Sequence, residues 1–248
     1  MPKAISDYNY RYCSNSFLSM FLEDTWKQAA KTKFGETDEN RQDKIDQFYQ
    51  HLNSLRESKK VGQNILNNIP TICCVFPSNT VSPKKEYNDF LLKFLRAGNH
   101  EIDYATQILL NYINQFNIGP KYTKSVLNMD IIRRVYEDKV GTLLQHRDKY
   151  GRRVYFYRPG KWNPDTVSIE DCFCAGYMLC EAAAREPMSQ VCGVTVICDA
   201  GNFGFKQLRQ FSIEDIKAFS TFMLVFLIYY VNGKVIQNIF NILQLFQP

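Results

Sequence analysis

The sequence has little that would anchor it in a membrane or mark it for export. Its most apolar window, FMLVFLIYYV from Phe222, is about half of the roughly 20 residues a helix needs to cross a bilayer, and it reads as the end of a helix running into a buried strand. The opening MPKAISDYNYRYC lacks the apolar core of a secretory signal, so a reducing, cytoplasmic setting is expected, with the 8 cysteines mostly free thiols. The neighbours Cys73 and Cys74 and the pair Cys172-x-Cys174 do not repeat the two-residue gap of a zinc site, and the 3 histidines stand far apart. No metal or cofactor is expected, and the cysteines read as small buried hydrophobes. The formal charge is only +5, carried by scattered doublets such as Lys84–Lys85 and Arg152–Arg153. With no nucleic-acid reading motif beside it, this charge excludes a nucleic-acid partner and fits weak attraction to an acidic membrane, about 1 kcal/mol for each cation near the surface.

Enzyme signatures fail on spacing. HRD at His146–Asp148 suggests a kinase catalytic loop, but the Asn that should follow the Asp by five residues is Arg153, and no Gly-rich loop precedes it. DAGNFG, residues 199–204, lacks the three-glycine dinucleotide fingerprint, and its glycines suit a chain reversal passing close to the sheet. Asp199 reads as a turn-bonding carboxylate rather than a base. No Gly-x-Ser-x-Gly elbow is present. No catalytic residue is assigned.

The first half has helical rhythm. Phe17, Met20, Phe21 and Trp26 share a face, Ile45, Phe48, Tyr49 and Leu52 repeat it, and a further pair of helices is separated at Gly98. Between them, residues 59–83 lose the pattern and read as a loop or insertion. After Met129 the grammar changes. RRVYFYRPG alternates like a strand, and Ser168 with Asp171 forms a capping box opening a helix with Phe173, Tyr177, Cys180 and Ala184 inward, closed by Pro187. GVTVICD is apolar enough for a strand covered on both faces. Ser212 and Asp215 repeat the capping device for a helix with Ile213, Ile216, Phe219 and Met223 inward, and a last strand, FLIYYVN, and helix, VIQNIFNILQLF, end the chain. This order predicts an α/β fold, a helical unit over residues 13–125 and a mainly parallel, helix-flanked sheet over residues 126–248.

The second half is crowded with Phe173, Tyr177, Cys198, Phe203, Phe205, Phe211, Phe219, Phe222, Met223, Ile239 and Phe240. These residue types build either an ordinary core or a pocket for a lipid-like molecule, and composition alone does not separate the two.

Four motifs in fixed order carry a resemblance: FGETDENRQDKIDQF, DFLLKFLRAG, HRDKYGRRVYFYRPGKWNPDTVSIED and GVTVICDAGNFGFKQLRQFS. Together they resemble the CRAL-TRIO family of retinaldehyde-binding and α-tocopherol transfer proteins, over residues 29–246, and the GETDENR segment resembles its insect members. The resemblance implies a helical N-terminal domain, then a sheet whose helix-covered side encloses one hydrophobic ligand, with no covalent chemistry. Carried over by position, the ligand would be lined by Tyr157, Phe173, Tyr177, Val194, Cys198, Phe203, Phe211, Phe219, Phe222, Met223 and Ile228. A lid helix would place Ile239, Phe240, Leu243 and Phe246 over it. Family members that hold phosphoinositide headgroups read FLRAR where this chain has Gly98, leaving Arg96 and Lys234 as headgroup candidates. The family's chain also runs on past the lid, whereas this one stops at Pro248, so a truncated form is expected. The implied function is binding and transfer of a tocopherol, retinoid or related lipid between membranes, with transient membrane contact. The alternative on the same fold is a transfer-deficient isoform or a regulatory, interaction protein.

Overall fold

The computed structural model describes residues 16–58, 83–118 and 129–224. Helix α1, Ser16–Phe34, ends where Gly35 takes a positive φ of 62°, and α2, Arg41–Glu57, follows after a tight turn. The GETDENR motif builds that turn. Thr37 and Asn40 cap each other reciprocally, through Thr37 N to Asn40 Oδ1 at 2.9 Å and Asn40 N to Thr37 Oγ1 at 3.3 Å, and Asn40 Nδ2 donates to the Gly35 carbonyl. The expected inward residues Ile45, Phe48 and Leu52 are buried, whereas Tyr49 is exposed and meets Tyr87 edge-on.

Helix α3, Pro83–Ala97, and α4, Ile102–Ile118, pack against each other, with a close approach at Gly98. A Cβ at that position would stand 2.8 Å from the Ala105 backbone nitrogen, so the glycine lets α4 cross directly over the end of α3. An arginine there, as the FLRAR pattern has, does not fit this crossing.

Sequence periodicity missed the next two elements, α5, Met129–Glu137, and β1, Gly141–Leu143. The described sheet has order β1-β2-β3, with β2 at Arg153–Tyr157 and β3 at Val194–Cys198. β2 and β3 are parallel, as expected, and β1 is antiparallel to β2. Between them run α6, Ile169–Ala184, and the short α7, Pro187–Cys192. Pro187, expected to close α6, instead opens α7, where a missing N–H costs nothing. The Ser168 cap is as expected: Asp171 N donates to Ser168 Oγ at 3.1 Å and Ser168 Oγ donates back to Asp171 Oδ2 at 2.7 Å.

Register places Gly141, Tyr157 and Cys198 in one row and Leu143, Tyr155 and Val196 in the next. Gly141, Leu143, Tyr155, Tyr157, Val194, Val196 and Cys198 therefore share a face, because side chains alternate along a strand. That face is the helix-covered one. The other carries Ile197, 39% exposed, so β3 is not covered on both faces among the described residues.

After β3 come α8, Phe205–Leu208, and α9, Ile213–Leu224. The second capping box forms, with Asp215 N to Ser212 Oγ at 3.1 Å and Ser212 N to Asp215 Oδ2 at 2.9 Å. The expected inward face does not hold at its start, since Ile213 is 73% and Ile216 45% exposed. The cap explains this: its carboxylate, on Asp215, is the buried group of that first turn. The expected final strand and helix, and the loop expected at 59–83, lie outside the described residues.

Candidate ligand-binding site

Tyr157 links two buried clusters. On one side, Tyr155, Val194 and Cys180 pack with Tyr112 and Ile113 of α4, and Tyr157, Tyr177, Leu143, Leu179 and Val196 adjoin them. On the other, Trp162, Cys172, Cys174, Ala175 and Met178 pack with Val135 and Val140, joined by Tyr136, Phe173, Phe211 and again Tyr157. The Tyr155 and Tyr157 rings lie 6.2 Å apart on one face of β2.

The segment after β3 adds an aromatic corner. Phe211 meets Trp162 at 6.0 Å, Phe173 at 6.0 Å and Phe203 at 6.5 Å between ring centroids, all edge-on. Edge-to-face contacts of this kind are favourable beyond the area they bury. The corner is fixed by backbone. Trp162 Nε1 donates to the Val167 carbonyl at 2.9 Å, and buried Gln207 donates to the Trp162 carbonyl at 3.2 Å. Gly160 makes the approach possible, since a Cβ there would collide with the backbone of Gly201 and Phe203. Asp199 accepts from Gly201 N at 3.0 Å and so holds the turn, as expected.

Burial pushes the phenols of Tyr155, Tyr157 and Tyr177 well above the ordinary tyrosine range. It also pushes the Cys172 and Cys174 thiols up to about 12 and raises Cys198. Such thiols stay protonated and are poor nucleophiles at neutral pH. Asp148 of the HRD stretch is equally structural, accepting from Tyr150 N, Arg152 N and Nε, and Thr195 Oγ1. Among the described residues, no three His, Cys, Asp or Glu side chains could hold a metal ion together, and no helix is long and apolar enough to cross a membrane.

Of the expected lining, Tyr157, Phe173, Tyr177, Val194, Cys198, Phe203 and Phe211 fall on these two clusters, the sheet face or the aromatic corner. Phe219, Phe222 and Met223 are in α9, but their side chains, together with Ile228, Lys234, Ile239, Phe240, Leu243 and Phe246, lie outside the described residues. Sequence reasoning missed Tyr155, although it shares the period-two face of Tyr157, and Trp162, just beyond the Pro159–Gly160 turn.

Arg96 stands elsewhere. It is 2% exposed, with Nε 2.8 Å from Glu36 Oε2, Nη2 2.5 Å from Glu36 Oε1 and Nη1 2.5 Å from Gln190 Oε1, and it lies over the Trp26 ring. Arg41 and His100 complete the shell around Glu36, at 2.7 and 3.2 Å. Burial pushes the Glu36 carboxyl up, but hydrogen bonds from Arg96, His100 and Arg41 outweigh it and hold the group well below the usual carboxylate range. The expected headgroup role of Arg96 does not fit this placement, because its guanidinium ties α3 to the α1–α2 turn and to α7.

The model of the CRAL/TRIO domain matches residues 137–246, which contain the sheet, α6 and the aromatic corner. This second half of the chain is similar to the CRAL/TRIO domain. Similar proteins include the mouse "Alpha-tocopherol transfer protein-like", 31% identical over 118 residues, 44% of this chain and 32% of that protein. The human protein of the same name is 31% identical over 110 residues, with the same coverage. Rat Clavesin-1 is 29% identical over 130 residues, 52% of this chain and 36% of that protein. The matches thus span about a third of the length of these relatives. Within the matched stretch, Tyr155 and Tyr157 mark the helix-covered sheet face, and Trp162, Phe173, Phe203 and Phe211 its aromatic end.

Proposed function

We propose that this chain binds one small hydrophobic molecule, such as a tocopherol, a retinoid or a related lipid, against the helix-covered face of its sheet. It carries that molecule between membranes in the cytoplasm without making or breaking covalent bonds. The observation that carries this reading is the aromatic lining from Tyr155 to Phe211 inside the stretch that matches the CRAL/TRIO domain, with Tyr157 joining its two clusters. The name "Alpha-tocopherol transfer protein-like" on similar proteins points the same way. Shielding apolar ligand area from water supplies about 25 cal/mol per Å², so a surface of this type needs no specific polar chemistry to hold a lipid.

Contact with membranes rests on general attraction of a mildly basic chain rather than on a headgroup pocket at Arg96, whose guanidinium is engaged by Glu36 and Gln190. Titration of the full chain with a fluorescent long-chain probe tests the reading. Tight binding by the native chain, abolished by Phe173→Asp with circular dichroism unchanged, is the expected outcome, because a carboxylate in an apolar site carries a large desolvation cost. Equal affinity in the variant removes Phe173 from the site, and failure of the native chain to bind favours the regulatory alternative.

A further inference from the structure

The His100 side chain is 5% exposed, and its Nδ1 is buried with no hydrogen-bond partner among the described residues. Native proteins supply a partner for nearly all buried polar atoms, so this exception needs a reason. The other ring nitrogen is committed. Nε2 lies 3.2 Å from Glu36 Oε2 and, facing an ionised carboxylate, carries the proton of the neutral ring. Nδ1 is therefore where the ring takes up a second proton, and the N–H so formed has no acceptor.

The backbone holds this ring in place under strain. Asn99 and His100 take left-handed φ values of 53° and 61°, a region that residues with a Cβ adopt uncommonly. Capping bonds at the end of α3 keep the turn, from Gly98 N to the Phe94 carbonyl at 2.8 Å and from His100 N to the Leu95 carbonyl at 2.7 Å. The ring itself packs on Phe34, 5.4 Å between centroids. Phe34 ends α1, and beside it Lys33 Nζ donates to the Val191 carbonyl of α7 at 3.1 Å. Arg96 of α3 reaches α7 as well, through Gln190. His100 thus sits where α1, α3 and α7 are joined, and only Gly193 separates α7 from β3.

Among the described residues, the charges nearest the ring balance only while it is neutral. The α1–α2 turn brings Glu36 and Asp38, α2 brings Arg41, which pairs with both, and α3 brings Arg96. Two carboxylates face two guanidiniums. Further out, Lys27 of α1 pairs with Glu23 and Asp38, Lys33 lies over the Phe34 ring, Lys44 of α2 reaches the Phe34 carbonyl, Glu101 beside the ring's own turn is exposed, and Asp103 of α4 pairs with His51. From α7 come the neutral Gln190 and the Cys192 thiol, which burial pushes up. Glu36 already accepts three bonds from Arg41 and Arg96. A proton on Nδ1 therefore adds a buried charge without a counter-ion and a donor without an acceptor, and both are costly.

We infer that His100 is a proton-operated latch between the first helical half of the chain and α7, closed while the ring is neutral and loosened when Nδ1 takes up a proton. Histidine is the side chain suited to such a switch in mildly acidic conditions, whereas the Glu36 carboxylate gives way only in stronger acid. The latch rests on the geometry of this joint and is independent of the lipid-binding function.

Hydrogen exchange of the full chain, followed by mass spectrometry and corrected for the chemical exchange rate at each pH, tests it. Between about pH 7.5 and about pH 5.5, residues 30–36 and 187–193 should lose protection by roughly tenfold while α6 keeps its own. His100→Gln, whose amide can still donate to Glu36, should abolish the change. The double variant His51→Gln with His146→Gln should retain it, and reads the latch even where His100→Gln does not fold. Protection that is unchanged with pH in the native chain, a loss shared equally by α6, a change retained in His100→Gln, or one absent from the double variant overturns the inference.

Discussion

Lys93 of α3 and Glu181 of α6 meet at 3.2 Å, 88 residues apart in sequence and both buried, with the ammonium set among the rings of Phe90, Phe94 and Tyr112. The pair ties the helical first half of the chain to the helix that covers the sheet. Glu181 also accepts from Tyr177, so this contact reaches the edge of the candidate site.

Removing one side of that pair strands a charge inside the protein. Lys93→Met should cost about 3–5 kcal/mol, and the double replacement Lys93→Met with Glu181→Leu should recover most of the loss, since a buried ion pair is often no better than the apolar residues that replace it. Urea denaturation of the two variants measures the difference. Equal loss in single and double variants would show that Glu181 is needed for its other contacts.

Glu36 predicts an acid-sensitive joint. Its carboxyl is held below the ordinary glutamate value of about 4.5, so the stability it contributes is fully present above that pH and is lost as pH falls toward the depressed value. Glu36→Gln should flatten this acid limb and also destabilise the protein at neutral pH by leaving the buried Arg96 without a carboxylate. Melting temperature followed from pH 7 down to pH 3 shows both effects. An unchanged acid limb would mean that other carboxylates govern acid unfolding.

Phosphoinositide vesicles should bind weakly, and binding should vanish between low and high salt, because exposed charges are screened over about 10 Å at 0.1 M. Arg96→Ala should lower stability more than vesicle binding, given its contacts with Glu36 and Gln190. Co-sedimentation at two salt concentrations, with a denaturation curve for the variant, separates these effects. Headgroup-selective binding that survives high salt would show a dedicated site on other cations.

The thiols make a chemical prediction. Cys172, Cys174 and Cys180 are buried, and burial pushes the first two up to about 12. They should resist iodoacetamide at pH 7.5 in the folded protein and react only after denaturation, as peptide mapping by mass spectrometry reports. Rapid native labelling of Cys172 would show that the α6 face opens to water.

The sequence was most legible where local chemistry is decisive. Helical spacing located α1 to α4, and the Ser168 and Ser212 caps located the starts of α6 and α9, because each device acts within a single turn. It was least legible in short elements. The three residues of β1 are too few to show a period, and α5 has only nine. Ile213 and Ile216 misled because helical spacing marks a common face but not its direction, which the buried Asp215 decides. Phe173, Phe203 and Phe211 of the aromatic corner came from the family resemblance, position by position, and Trp162 was missed. The approach of Tyr155 to Gly141 was not readable, since it arises from strand register.

Mass spectrometry of an organic extract of the purified full chain tests the central claim most directly. The account predicts a lipid species co-purifying in near-stoichiometric amount and depleted from the Phe173→Asp variant. An extract indistinguishable from that of an unrelated protein prepared alongside it, with no lipid taken up on incubation with liposomes, would contradict it.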